Sequence, residues 1–338
     1  MLRISYQEMK NVFKTILAKK GFSEERAEAA AEIFAGNSLC GVYSHGLNRF
    51  PRVVNYLERG LIDPEVTATV EKSAGAFERW NGNRGFGPLN ARQAMDRACD
   101  LASSYGIGIV ALGNNNHWMR GGSYGFQAAD RGFIGICWTN TLPNMPAWGG
   151  KDVRIGNNPI VFAVPKKNGQ HVVIDCAVAQ FSYGKIEMCK FNGQQLPVYG
   201  GYDTEGNLTT DPAEIEKSMR VLPMGYWKGS GLSIALDMIA TILSDGNPVS
   251  RIGTFEEEVG LTQIMIAIDP AKGNTAERTE KIVNDIIADV KASVAIDQDK
   301  PVLYPGEPEA IAIADNTANG IPVEEAIWND LLKMTGNE

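Results

Sequence analysis

Only three histidines occur in the 338 residues of this chain, and one of them, His45, lies in Gly41-Val42-Tyr43-Ser44-His45-Gly46-Leu47-Asn48-Arg49-Phe50-Pro51. An imidazole is the side chain whose ordinary pKa lets it both give and take a proton near neutrality. Arg49, one helical turn later, offers a planar fork matched to a carboxylate. Together they suggest a general acid beside an anion clamp. A lone histidine next to Gly and Tyr is more often a hydrogen-bonded structural residue. Here the company favours a site: Ser44 can bond the ring, and Gly46 leaves one side of it sterically open.

His117, in Asn114-Asn115-Asn116-His117-Trp118, follows a predicted strand, where ligand sites of α/β sheets tend to lie. His171 begins another strand and, on the residues alone, reads as surface or structural. Asp175 ends that strand, placed either to orient an imidazole or to cap a helix. Three glycine-rich stretches are phosphate candidates: 82–87, Arg120-Gly121-Gly122-Ser123, and 223–231, where Lys228 adds a point charge. Each is weak alone, because glycines before a helix are usually turn chemistry. Gly106-Ile107-Gly108-Ile109-Val110-Ala111 superficially fits G-x-G-x-x-A, but its order is helix, glycines, strand, whereas a dinucleotide fingerprint needs strand, glycines, helix.

Ser5 and Glu8 form a capping box ahead of Met9, Val12, Phe13, Ile16 and Leu17 at helical spacing, a helix that Gly21 ends. An Ala-rich helix follows from Ser23 to about 34, and a third covers 52–58, stopped by Gly60. From about Gly75 the pattern becomes mixed α/β. Strands are predicted over 108–112, 133–139, 160–164, 172–175 and 263–268, with helices over 89–104 and 232–243. After Pro270, helices over 276–290 and 323–334, the latter opened by Pro322, flank a Pro-rich turn at 305–308. Both chain ends are helical and are expected to pack together against a central sheet. Three parts result: a helical 1–75 carrying His45, a mixed-sheet 76–274, and a helical 275–338 packing with the first.

The hydrophobic share of 44% suits a globular protein, and the net charge of −8 argues against a nucleic-acid or anionic-membrane partner. Five cysteines without a C-x-x-C pair suit neither a disulfide framework nor a zinc cluster, so reduced thiols in a cytoplasm are expected. The first twenty residues lack signal-peptide features, and no window is long and apolar enough to span a membrane.

Taken together, Gly41-Val42-Tyr43-Ser44-His45-Gly46 with Asn48-Arg49-Phe50-Pro51, the run from Asn116 through Arg120 to Gly125, Gly135-Ile136-Cys137-Trp138-Thr139-Asn140, and Met224-Gly225-Tyr226-Trp227-Lys228-Gly229-Ser230-Gly231 resemble the malate/L-lactate dehydrogenase family. That family is unrelated to the Rossmann enzymes, and the likeness runs nearly the whole length. It implies a homodimeric cytoplasmic oxidoreductase whose cofactor, NAD(H) or NADP(H), lies on a non-Rossmann mixed β-sheet domain flanked by helices. Carried over residue by residue, the resemblance makes His45 the proton donor and Arg49 a contact to the substrate carboxylate. Ser44 and Asp175 join the supporting hydrogen-bond network, and His117 lies near cofactor and substrate. Cofactor contacts fall on His171, Val172, Val173, Ile174, Asp175, Cys176 and Ala177, on Trp227 and Lys228, and on Gly306, Glu307 and Pro308.

Many family members carry Asp-Met-Ala-x-Ser where this chain has Asp175-Cys176-Ala177-Val178-Ala179, so a serine hydroxyl that could bind cofactor or substrate is missing at Ala179. The side chains of the 306–308 turn vary among relatives, which points to contact through its backbone. The expected reaction is hydride transfer to the ketone of a 2-keto sugar acid, with His45 as imidazolium protonating the developing alkoxide and Arg49 fixing the carboxylate. Tyr43, Asn48 and Trp118-Met119 argue for a sugar acid over a malate, lactate or ureidoglycolate substrate. Outside the family the alternatives are a metal-dependent hydrolase using His45, His117 and Asp175, which no H-E-x-x-H pair supports, and a non-catalytic small-ligand binding protein.

Overall fold

Period-two alternation builds the centre of the molecule. In the computed structural model, which describes residues 2–336, Val110 and Leu112 face one side of a sheet and Ala111 the other, and Met265 and Ala267 oppose Ile264 in the same way. Met1, Asn337 and Glu338, the outer ends of the two terminal parts, lie outside the described residues. The sheet has seven strands: β1 Thr69–Ala74, β2 Phe77–Asn81, β3 Ile107–Asn116, β4 Ile134–Thr139, β5 Ile160–Val164, β6 Val172–Cys176 and β7 Val259–Ile268. Their order is β1-β2-β3-β7-β4-β5-β6. Only β2 and β3 pair in parallel, so the sheet is mixed, as the sequence implies. The sheet begins at Thr69, and its first hairpin turns at Gly75 across the expected division between 75 and 76. Every residue of β1 is exposed, so no apolar period announces that strand.

The helices that matter for the site are α1 Tyr6–Lys19, α2 Glu24–Leu39, α3 Phe50–Glu58, α4 Gly87–Tyr105, α5 Gly122–Asp130, α6 Trp227–Ser244, α7 Ala276–Lys291, α8 Glu307–Asn319 and α9 Glu325–Met334. α4 and α5 cover one face of the sheet and α6 the other. α4 lies very close because its inner stripe is Ala91, Ala94, Ala98 and Ala102, all fully buried. Gly106 caps it at φ +87°, and a Cβ on Gly108 would stand 2.0 Å from the Ala98 carbonyl oxygen. The G-x-G run thus ends a helix and lets it touch a strand.

A second layer is helical and formed by both ends of the chain. Met9, Phe13 and Leu17 of α1, Phe34 of α2, Phe50 and Val53 of α3, and Trp328 and Leu331 of α9 share one buried cluster. Ser5 caps α1, its Oγ accepting from the Glu8 N–H at 3.2 Å. Leu2–Ile4 pairs antiparallel with Ile321–Val323, Leu2 opposite Val323 and Ile4 opposite Ile321. Pro322 therefore sits in a strand and does not open α9, which starts at Glu325. Three-residue strands are too short to show alternation. Phe34 packs edge-on against Phe50 at 5.0 Å, and Phe50 stacks on Phe13 at 4.2 Å. Phe34→Ala is expected to cost about 3–5 kcal/mol, read as a lowered urea midpoint at unchanged slope.

Two parts of 275–338 behave differently from the expectation for the whole. α7 leans on the turn between β5 and β6, where the Lys167 N–H donates to Glu280 at 3.1 Å, so it belongs with the sheet. α8 does join the N-terminal layer: Asn316 Nδ2 donates to the Leu39 carbonyl at 2.9 Å. The Pro305-Gly306-Glu307-Pro308 stretch is the start of α8, since proline loses nothing in a first helical turn, where its missing N–H has no partner to leave.

Candidate active site

α2 continues five residues past its predicted end, and the extra turn holds His45. Asn37 Nδ2 donates to the His45 carbonyl at 2.9 Å, while Asn37 Oδ1 accepts from Ser123 Oγ at 2.8 Å. Ser38 Oγ accepts from the Leu47 N–H at 2.9 Å and donates to the Phe34 carbonyl at 3.0 Å. Between these clamps the chain makes two single-turn 3-10 segments, Tyr43–His45 and Leu47–Arg49. Gly46 also serves packing against α2. A Cβ there would fall 2.2 Å from Ser38 Oγ and 3.0 Å from the Phe34 carbonyl oxygen, so glycine is what lets the segment press onto α2.

His117, just past the end of β3, faces His45 with ring centroids 5.8 Å apart and planes 21° from parallel. Its Nδ1 accepts from the Met119 N–H at 2.9 Å, a turn that puts Met119 at φ +65°. The neutral ring therefore carries its hydrogen on Nε2. Ser44 Oγ lies 3.1 Å from His45 Nδ1, as the sequence suggests. Burial first, then the Arg49 and Arg120 guanidiniums, push His45 down to about 4. Burial, Arg49 and His45 drive His117 well below the ordinary imidazole value. Arg49 Nη2 stands 3.5 Å from Glu258 Oε2, and Glu258 Oε1 accepts from the Leu142 N–H at 3.3 Å. Arg49, Arg52, Asn116, His117 and Glu258 share a small closed cavity.

Asp175 acts on a helix and not on an imidazole: its Oδ2 accepts from the Gly122 N–H at 2.7 Å, at the start of α5. Burial raises its carboxyl despite that bond and the nearby Arg120. Ser44 and Asp175 therefore do not share one network around His45. His171 is neither exposed nor at the surface. It is 3% exposed, its Nε2 pairs with Asp130 at 2.9 Å, and its Nδ1 accepts from the Lys166 N–H.

The three segments expected to contact a cofactor meet along the β6 edge. Val173 N–H donates to the Pro305 carbonyl at 3.0 Å, and Gly306, at φ +98°, comes so close to the His171 carbonyl that a Cβ would be 2.5 Å from its oxygen. At the other end of β6, Met224 N–H donates to the Val178 carbonyl at 2.9 Å, leading to Trp227 and Lys228 in the first turn of α6. Lys228 is exposed, with no acidic partner within ion-pair distance among the described residues. An exposed cation at the first turn of an 18-residue helix suits an anionic group. Tyr226, at φ +61°, turns the chain into that helix. Of the other phosphate candidates, Gly82, Gly85 and Gly87 each press on protein backbone, and Arg120 is buried against Glu309 at 3.2 Å. Glu258 and Asn37 went unmarked in the sequence because a Glu run and a mid-helix Asn carry no local signal.

The fold is shared by solved enzymes, and a family model for malate/L-lactate dehydrogenase matches residues 4–332. The chain belongs to the malate/L-lactate dehydrogenase family. It is thus an oxidoreductase acting on CH–OH and keto groups. It is 45% identical to 2,3-diketo-L-gulonate reductase of Escherichia coli K12 over 328 residues, 97% of this chain and 98% of that one. Sulfolactate dehydrogenase of Methanocaldococcus jannaschii superposes with a TM-score of 0.89 at 29% identity, covering 99% of this chain and 97% of that chain. Malate dehydrogenase of Entamoeba histolytica shares the fold, with a TM-score of 0.93 at 24% identity over 99% and 97% of the two chains.

Proposed function

We propose that this family member reduces a 2-keto sugar acid, 2,3-diketo-L-gulonate to 3-keto-L-gulonate, with NADH or NADPH. The observation that carries the reading is the facing pair His45 and His117 beside Arg49, in a chain 45% identical to a reductase of that substrate. The nicotinamide, when bound, supplies the hydride. His45 gives the proton to the alkoxide oxygen, and Arg49 turns part of its fork to the substrate carboxylate while Glu258 holds its Nη2. His117 donates from Nε2 and cannot accept there, which fits a contact to a substrate or cofactor oxygen. The β6 edge with Gly306, Glu307 and Pro308 at one end and Trp227 and Lys228 at the other accommodates the dinucleotide through backbone groups and one cation.

The reading includes a cytoplasmic homodimer. Met238, Ile239 and Ile242 on the outer side of α6 are 59%, 44% and 77% exposed, an apolar stripe that supports a second copy as its cover. No helix among the described residues is long and apolar enough to cross a membrane. The deciding assay follows NADH and NADPH consumption with diketogulonate, pyruvate, oxaloacetate and related 2-keto acids, with and without chelator. Selective turnover of diketogulonate, untouched by chelator, is the expected result. Preference for pyruvate or oxaloacetate would make it a malate- or lactate-type enzyme, and no turnover across the panel would leave only a binding protein.

A further inference from the structure

Arg120 is a charged residue near the site that the reaction above does not use. Its side chain is 3% exposed, and its Nη2 is 3.2 Å from Oε1 of Glu309, one residue beyond the Gly306–Pro308 turn. The guanidinium lies over the start of α5: a Cβ on Gly122 would be 3.1 Å from Arg120 Nε and 3.0 Å from Asp175 Oδ2. Its Cζ stands 5.3 Å from the centroid of the Phe126 ring. A buried cation is costly to keep, and one carboxylate is its only ion-pair partner among the described residues. Three elements meet on this one group, α8 through Glu309, α5 through Phe126 and Gly122, and β6 through Asp175. Three residues on, Ser123 Oγ donates to Asn37 Oδ1 at the end of α2, whose Nδ2 holds the His45 carbonyl.

We propose that Arg120 is a positioning residue for the reductase reaction: it ties the turn that seats the cofactor to the His45 segment and keeps a fixed positive charge within reach of that imidazole. The charged and titratable groups facing His45 are Arg49 from the following 3-10 segment, Arg120 from before α5, and His117 from the end of β3. Arg49 is paired with Glu258 and Arg120 with Glu309, so each cation has one carboxylate partner. Arg120 thus works with Arg49 to keep His45 neutral until an anionic substrate arrives, and Glu309 carries the state of the 306–308 turn to that charge. The inference rests on the reading of the chain as a nicotinamide-dependent reductase.

The test uses the full-length protein with carbon-13-labelled histidine. Its three imidazoles give three resonances, assigned with His45→Gln and His117→Gln. Arg120→Met is expected to raise the His45 midpoint by roughly one pH unit, because a like charge is removed. Arg120→Lys keeps the charge and should leave the midpoint near wild type. Glu309→Gln leaves the cation uncompensated and should lower it. Both Arg120→Met and Glu309→Gln should weaken NADH binding about 5-fold or more, measured by fluorescence titration. The His171 resonance reports folding. If Arg120→Met unfolds the chain, Arg120→Lys and Glu309→Gln decide alone. Unchanged His45 midpoints and NADH affinities overturn the proposal. A wild-type protein that consumes neither NADH nor NADPH overturns the reductase reading instead, while the titration still tests the link between Arg120 and His45.

Discussion

His45→Ala lowers kcat for keto-acid reduction by about 10²–10⁴-fold, the contribution a positioned general acid makes, and leaves substrate KM nearly unchanged. Turnover at the wild-type rate would remove His45 from the chemistry. The pH dependence of the wild-type enzyme is the finer check. Burial and two guanidiniums hold the free imidazole at about 4, so near neutrality the ring is neutral before substrate arrives. Reduction needs the imidazolium, so kcat/KM for reduction falls as pH rises above that midpoint. Oxidation of the hydroxy acid needs the neutral ring, so its kcat/KM rises with pH and levels off above about pH 5. A substrate carboxylate on Arg49 cancels one of the two cations and lifts the midpoint, so kcat for reduction persists to higher pH than kcat/KM. Folding obeys the same sign. The unfolded chain binds a proton near 6.5 that folded His45 refuses, so stability declines as pH falls from 6.5 towards 4.

Arg49→Ala is expected to raise KM by about 10- to 100-fold, the loss of a charge-assisted bond to a carboxylate. It should lower kcat much less. A second effect separates this role from simple damage: removing Arg49 takes away the guanidinium that acts more strongly on His45, so the His45 midpoint should also rise. Arg49→Lys restores the charge but not the fork, and is expected to recover the midpoint without recovering KM. Loss of kcat with KM intact would contradict the clamp. Steady-state kinetics on the two variants, each over a pH series, provide all four quantities.

Local chemistry was readable in the sequence and distant partnership was not. His45, Ser44 and Arg49 fall within six residues, and the Ser44 bond follows from adjacency alone. β5 matches its predicted bounds because it is a short apolar run between turns. The role of Gly46 is set by Ser38, eight residues earlier in the last turn of α2, and no local signal shows it. Asp175 offered two uses, and the choice depends on Gly122, fifty-three positions off. β1 has no buried face and Leu2–Ile4 is too brief for a period, so both escaped notice. The last turn of α2 contains Gly36 and Asn37, poor helix formers, and tertiary bonds from Asn37 and Ser38 keep it wound.

The pairing of Leu2–Ile4 with Ile321–Val323 also sets an order of events in synthesis. As the ribosome emits the chain, α1, α2 and α3 appear well before Trp328 and Leu331, and the buried cluster they share cannot close until those residues follow. The sheet between them can assemble meanwhile. The His45 segment, clamped to α2, is thus made long before it reaches its final setting. A nascent chain halted before Ile321 should be cleaved by protease at α1–α3 while its sheet resists.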